Sequence, residues 1–237
     1  MAGHSKWSKI KRQKGANDAK RGAVFTRIGN QIAIAARGGT DPDMNPSLAM
    51  VIEKARAVNM PNANIERAIA RAADKNTAVL EEITYEGYGP GGVGIIIETA
   101  TDNRNRTLPE VKTALVKNGG SIADAGSVSF QFDRKGVILV GATGEDALLA
   151  VLDAGAEDAV EEEGEIIVYT ALKDLAKVRG EIVKQGLKVI EAELQYVPKA
   201  TVLIESDEVA AKLERVLDAL DDLDDVVNVH TNAESTD

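Results

Sequence analysis

Apolar residues recur every three or four positions at Val24, Phe25, Ile28, Ile32 and Ala35, again at Leu48, Val51, Ile52, Ala55 and Val58, and again at Ile65, Ala68, Ile69 and Ala72. That period places side chains on one face of an α-helix. Local punctuation separates three such helices. Asn17 or Asp18 can cap the first and Gly38-Gly39 stops it; Asn45-Pro46 opens the second; Met60-Pro61 ends it before Asn62 or Asn64 opens the third. After Asp74-Lys75-Asn76 the pattern changes to strands, at 82–88 and 93–101. Gly89, Gly91 and Gly94 between them formally satisfy G-x-G-x-x-G, but the β-branched run Ile95-Ile96-Ile97 follows. A dinucleotide-binding loop would open a helix there, so the glycines read as a tight turn between strands.

Further along, Thr107 and Glu110 stand at capping-box spacing and Pro109 suits a first turn, which predicts a helix over 108–117 and a strand over 127–132. From 137 the order is strand (137–140), helix (145–154), two strands (159–161 and 165–170), helix (172–185) and strand (188–196). This β-α-β-β-α-β order is the ferredoxin-like signature. The last part reads strand (201–204), helix (207–220), strand (226–230), which supplies the missing half of a second such unit begun before 133. The expected class is therefore α+β: an N-terminal helical domain (1–78), a discontinuous ferredoxin-like domain (79–133 plus 199–237), and a second ferredoxin-like domain (134–198) inserted into it.

Charge changes this picture most at the beginning. Residues 1–37 carry nine of the 28 Lys and Arg residues against one acid, Asp18, a net of +8 in a chain whose total is −10, so that residues 38–237 carry −18. Such sorting is the electrostatic footprint of a phosphate-backbone binder, whereas a merely solvated helix commonly mixes signs. Lys6, Lys9, Lys11, Arg12, Lys14, Lys20, Arg21 and Arg27 are the candidate phosphate contacts. Arg104 and Arg106 join them because they precede a predicted helix N-terminus, which favours anions; the same arginines could equally pair with neighbouring acids. Trp7 lies among the cations, where packing is a better reading than base stacking.

Catalytic chemistry is hard to assemble. The chain has no cysteine, and its two histidines, His4 and His230, stand at opposite ends. Asp221, Asp222, Asp224 and Asp225 form the densest acidic cluster but lack the spacing of a calcium loop, so a solvated helix end is expected, with a Mg²⁺-assisted hydrolase as a distant alternative. No metal, cofactor or enzymatic activity is expected. Neither a membrane span nor a secretory leader is visible, which gives the expectation of a soluble cytoplasmic protein with nucleic acid (DNA or ribosomal RNA) or the ribosome as its partner; the sequence leaves the oligomeric state open, a monomer being favoured. A protein-interaction scaffold with an incidental basic head is the other alternative.

MAGHSKW at the start, NDAKRG with Phe25-Thr26, DPDMNP (41–46), NIERAIAR (64–71), YEGYGPGG (85–92), TDNRNRT (101–107) and GSVSF (126–130) together resemble the YebC family, whose mitochondrial branch comprises translational activators of cytochrome oxidase. The resemblance spans the chain and is densest over 1–132. It implies a three-domain protein, with members described either as DNA-binding transcriptional regulators or as ribosome-associated factors that would touch ribosomal RNA. The chain departs from the family pattern at Ala23 and Ala49, where relatives often carry Lys and Arg, and at Ala72-Ala73-Asp74, where they often carry glycine. Those departures remove two potential phosphate contacts and leave the cluster from Lys6 to Arg21 intact.

Overall fold

A computed structural model describes residues 18–74 and 79–235, with side chains from residue 22 onward. Contacts divide the described residues into two compact units, 133–197 and the remainder. The chain leaves the larger unit after Phe132 and re-enters it at Pro198.

The larger unit begins with three helices, α1 (Asp18–Ala35), α2 (Pro46–Ala57) and α3 (Asn62–Ala73). Their apolar stripes meet in a core built on Ile28, Ile32, Leu48, Ile52, Ala55 and Ile65. Asn45 serves two helix ends at once. Its carbonyl oxygen accepts from Leu48 N at 3.2 Å, capping α2, while its amide donates to the carbonyls of Ala35 and Gly39, each at 2.8 Å. This satisfies orphan groups at the end of one helix and the start of the next.

Strands β1 (Glu81–Tyr88) and β2 (Gly94–Thr101) pair antiparallel from Glu81↔Thr101 to Tyr88↔Gly94. The turn between them needs Gly91 and Gly92 at φ of +79° and +77°, a left-handed backbone that other residues resist. Helix α4 (Arg104–Lys117) returns the chain to β3 (Ser121–Ala123). After the excursion through the other unit come β8 (Val202–Ile204), α7 (Asp207–Asp221), β9 (Val226–Thr231) and β10 (Ala233–Ser235). The four-stranded sheet runs β3-β1-β2-β9, and α4 and α7 cover one face through Val111, Leu115, Leu213, Val216 and Leu220.

Three elements differ from the sequence reading. The place in the sheet assigned to 201–204 is taken by β1, and β8 pairs instead with β10 in a separate parallel ribbon. A hairpin closed by a five-residue turn costs little loop entropy, so β1 reaches its neighbour before a strand a hundred residues away can. Second, α4 starts at Arg104, not 108. Asn103 is the cap, its Oδ1 accepting from Arg106 N at 3.2 Å, so the Thr107–Glu110 box does not form and Pro109 lies inside the helix. Third, 127–132 is not a strand; it curls through a 3₁₀ turn (Ser129–Gln131) for a reason given below.

The smaller unit is β4 (Phe132–Val140), α5 (Glu145–Asp153), β5 (Asp158–Glu162), β6 (Glu165–Thr170), α6 (Leu175–Lys184) and β7 (Val189–Pro198). Its sheet order, β5-β6-β4-β7, is that of a ferredoxin-like fold, as the element order predicts. Helix α6 begins three residues late because Leu172–Asp174 forms a 3₁₀ turn first.

Candidate nucleic-acid interface

Lys6, Lys9, Lys11, Arg12 and Lys14, with Trp7, lie outside the described residues. Lys20 and Arg21 occupy the first turn of α1. The other three predicted cations have definite surroundings, and two of them face carboxylates of the same chain.

Arg27 sits nearly two turns further along α1 and is only 14% exposed. Its guanidinium donates to the carbonyl of Asp221, and its Nη1 stands 3.4 Å from the Asp221 carboxylate. Asp221 is the last residue of α7, so the positive charge meets a helix C-terminus, where the macrodipole is negative. Asn30 and Gln31 follow on the same stripe of α1, donating to the carbonyls of Asp224 and Val227 at 3.3 and 3.5 Å. Arg71 of α3 completes the contact by donating to Asn30 Oδ1 at 3.1 Å. The acidic cluster is thus only in part a solvated helix end: the side chains of Asp222 and Asp224 are exposed, while Asp221 and Asp225 are engaged. It is the seat on which the helical bundle rests, because the turn after α7 offers carbonyls with no helical partner.

Arg106 is drawn into the second end of the same cluster. Its Nη2 lies 2.9 and 2.8 Å from the two oxygens of Asp225 and 3.3 Å from Asp102. The hydroxyls of Thr101 and Thr107 approach Asp225 Oδ2 at 2.9 and 2.7 Å. Asp225 is 7% exposed. Burial pushes its carboxyl up, but the donors from Thr107, Arg106 and Thr101 outweigh burial and hold it below the usual carboxylate range. The TDNRNRT motif therefore encloses a buried anion supplied from more than a hundred residues away. Arg104, by contrast, is exposed on the first turn of α4 and forms no hydrogen bond or ion pair with the described residues.

Sequence reasoning missed a second buried carboxylate, Glu86, in the middle of β1. It accepts the backbone N–H groups of Gly126, Val128 and Ser129 at 2.7, 2.5 and 2.9 Å. Burial raises its carboxyl, and the three N–H donors more than offset that, leaving it lowered. Gathering three amides around one carboxylate is what bends 126–131 away from a strand. An acid flanked by Tyr85 and Gly87 inside a half-buried strand was the available signal. Asn232 is a third hidden pin, accepting from Gly94 N at 2.8 Å and donating to Gln131 at 2.8 Å. Among the described residues no three His, Asp or Glu side chains converge as a metal site requires.

Comparison with known proteins places these motifs. Residues 5–75 match the TACO1/YebC protein N-terminal domain, and residues 80–233 match the TACO1/YebC second and third domain. A protein of Finegoldia magna is 48% identical over 237 residues, covering 98% of each chain. One of Lactobacillus helveticus is 46% identical over 243 residues and covers both chains completely. Each carries the name "Probable transcriptional regulatory protein". The crystal structure of a conserved hypothetical protein from Aquifex aeolicus superposes with a TM-score of 0.85 at 41% identity over 93% of each chain. The chain therefore belongs to the TACO1/YebC family.

Proposed function

We propose that the chain is a non-enzymatic, nucleic-acid-binding regulator of gene expression whose basic head neutralises phosphates. The observation that carries this reading is the division of labour among its cations. Arg27 and Arg106 meet Asp221 and Asp225, so they contribute positioning rather than a free positive surface. The cations from Lys6 to Arg21 have only Asp18 as an acidic neighbour in sequence and face a body carrying −18. Arg104 adds an exposed positive charge on the folded part. The names of the relatives support a regulatory role, and no helix among the described residues is long and apolar enough to cross a membrane.

The acidic body separates RNA from DNA as target. A long duplex wrapped around it would be repelled everywhere except at the head, whereas a ribosomal surface offers RNA to the head and basic proteins to the body. Ribosomal RNA is thus the favoured target and promoter DNA the second reading. Reversing charge at Lys9, Lys11 and Arg12 together tests the phosphate role. Each lost contact should flatten the salt dependence by about 0.9 log units on duplex or ~0.7 on a single strand. Unchanged affinity and slope would sink the reading. Sedimentation of lysate with and without RNase separates the targets: co-migration with ribosomal particles, lost on RNase treatment, favours the ribosome.

A further inference from the structure

An exposed phenylalanine is ordinary on a protein surface and carries no meaning by itself. Phe130 differs in how it is held. It is 65% exposed, whereas every other aromatic with a described side chain is buried or half-buried. The backbone beneath it is fixed on every side. Glu86 binds three amides just before it, Tyr88 Oη donates to the Ser127 carbonyl at 2.9 Å, and Val128 is fully buried. On the other side Lys199 N donates to the Gln131 carbonyl at 2.9 Å and Asn232 holds the Gln131 side chain. Lys199 Nζ donates to the carbonyl of Phe130 itself at 3.0 Å, which places an ammonium group beside the ring's own backbone. A loop this constrained would lose little conformational entropy when its ring meets a partner, and that is what preorganisation contributes to binding.

We propose that Phe130 is a stacking platform for an unpaired nucleobase, with Lys199 supplying positive charge for the adjoining phosphate. This is a second nucleic-acid contact on the folded body, separate from the basic head, and it rests on the nucleic-acid reading above. The chemistry selects the occupant. A flat apolar ring offers a π-face to any base, and a neighbouring lysine complements the backbone charge that every nucleotide brings. A base paired within a duplex keeps its faces stacked on its neighbours, so the site selects single-stranded segments, loops or bulges. Glu86 acts here as a positioning residue: it shapes the loop and touches no ligand.

The test is fluorescence anisotropy with a labelled single-stranded RNA, the corresponding duplex, and an abasic version of the single strand carrying the same phosphates. F130A should bind the single strand roughly 5- to 150-fold more weakly, the range that loss of one base–aromatic stack produces. It should match the wild type on duplex and on abasic RNA, keep the wild-type salt slope, and be rescued by F130W. Phe130 is exposed, so an unchanged melting temperature checks that F130A is folded. Equal single-strand binding by F130A and wild type overturns the platform, as does an equal loss on abasic RNA. The triple charge reversal at Lys9, Lys11 and Arg12, run alongside, keeps the two ideas apart. If it abolishes binding while F130A leaves single-strand affinity at the wild-type value, the head stands and the platform falls. A wild-type chain that binds none of the three ligands overturns both.

Discussion

The two α+β sheets of this chain solve the same packing problem with different materials. The 133–197 sheet is built from one continuous stretch and is closed by aliphatic residues such as Val137, Leu139, Ile138 and Ile167. The β3-β1-β2-β9 sheet joins two pieces of chain that lie far apart in sequence. Buried polar residues are divided accordingly: Asn30, Asn45, Glu86, Thr99, Thr101, Thr107, Asp225 and Asn232 fall in the larger unit, and only Thr170 in the smaller. Apolar burial is non-directional and tolerates sliding. A buried carboxylate with three or four donors accepts one arrangement, and misplacement leaves it unpaired. In the discontinuous unit Asn30, Asp225 and Asn232 pin the second piece to the first, while Glu86 pins β1 to the 126–129 turn within the first piece.

Acid is the strongest way to break this contrast, because it removes both carboxylate pins together. Glu86 and Asp225 are each held below their ordinary range when folded. Each thus stabilises the fold above the unfolded carboxylate pKa, and that contribution disappears as pH falls through the folded value. Hydrogen exchange followed downward in pH should open β1, β2 and β9 before β4 and β6. Alkali provides the opposite arm. Burial, with Glu162 and Asp158 nearby, pushes the Tyr169 hydroxyl of the smaller unit up to about 12. Its neutral form is favoured in the fold, so its contribution is complete below ~10 and is lost as pH rises through about 12. Tyr85 in the larger unit is also raised, so alkali should discriminate between the units less sharply than acid.

Single substitutions rank next. Asp225→Ala leaves Arg106, Thr101 and Thr107 without their common acceptor, and breaking a buried pair in this way should cost about 3 kcal/mol, at the low end because Arg106 is half-exposed. Exchange in β2 and β9 should accelerate while β4 stays protected; uniform loosening of both units would argue against a local pin. Glu86→Gln keeps one acceptor oxygen and loses the charge, for an expected loss of about 2 kcal/mol. Its signature should be faster exchange at Gly126, Val128 and Ser129, and weaker single-stranded RNA binding only if the Phe130 loop is displaced.

The same contrast explains what could be read in the sequence. The smaller unit was legible because its β-α-β-β-α-β order is contiguous and its strands alternate or run apolar, so each neighbour in the sheet follows from local pattern. The three helices were legible for the same reason, down to the Asn45 cap. The larger sheet was not, since nothing in the residues 201–204 says that they lose the central place to β1. Thr107 and Glu110 had the spacing of a cap, yet Thr107 turns its hydroxyl to Asp225 and Asn103 caps instead. Arg27 and Arg106 looked like members of a phosphate site because sequence shows charge and hides partners 194 and 119 positions away. Long-range polar pairing leaves no periodic trace.

The smallest effect sharpens the comparison most directly. Arg27 lies on the helix that continues the basic head, but its guanidinium caps the C-terminus of α7. Arg27→Ala should cost about 1 kcal/mol, the scale of a partly buried cation at a helix C-terminus, and should speed exchange in α1 and the last turn of α7. Its effect on nucleic-acid binding should be nil: the salt slope measured on duplex should match the wild type, where loss of a true phosphate contact would flatten it by about 0.9. Arg27→Lys should recover part of the stability, because a lysine keeps the charge at the helix end but lacks the planar fork that meets both the carbonyl and the carboxylate of Asp221. A flattened slope with intact stability would place Arg27 among the phosphate contacts and move the boundary between head and body nearly two turns further along α1.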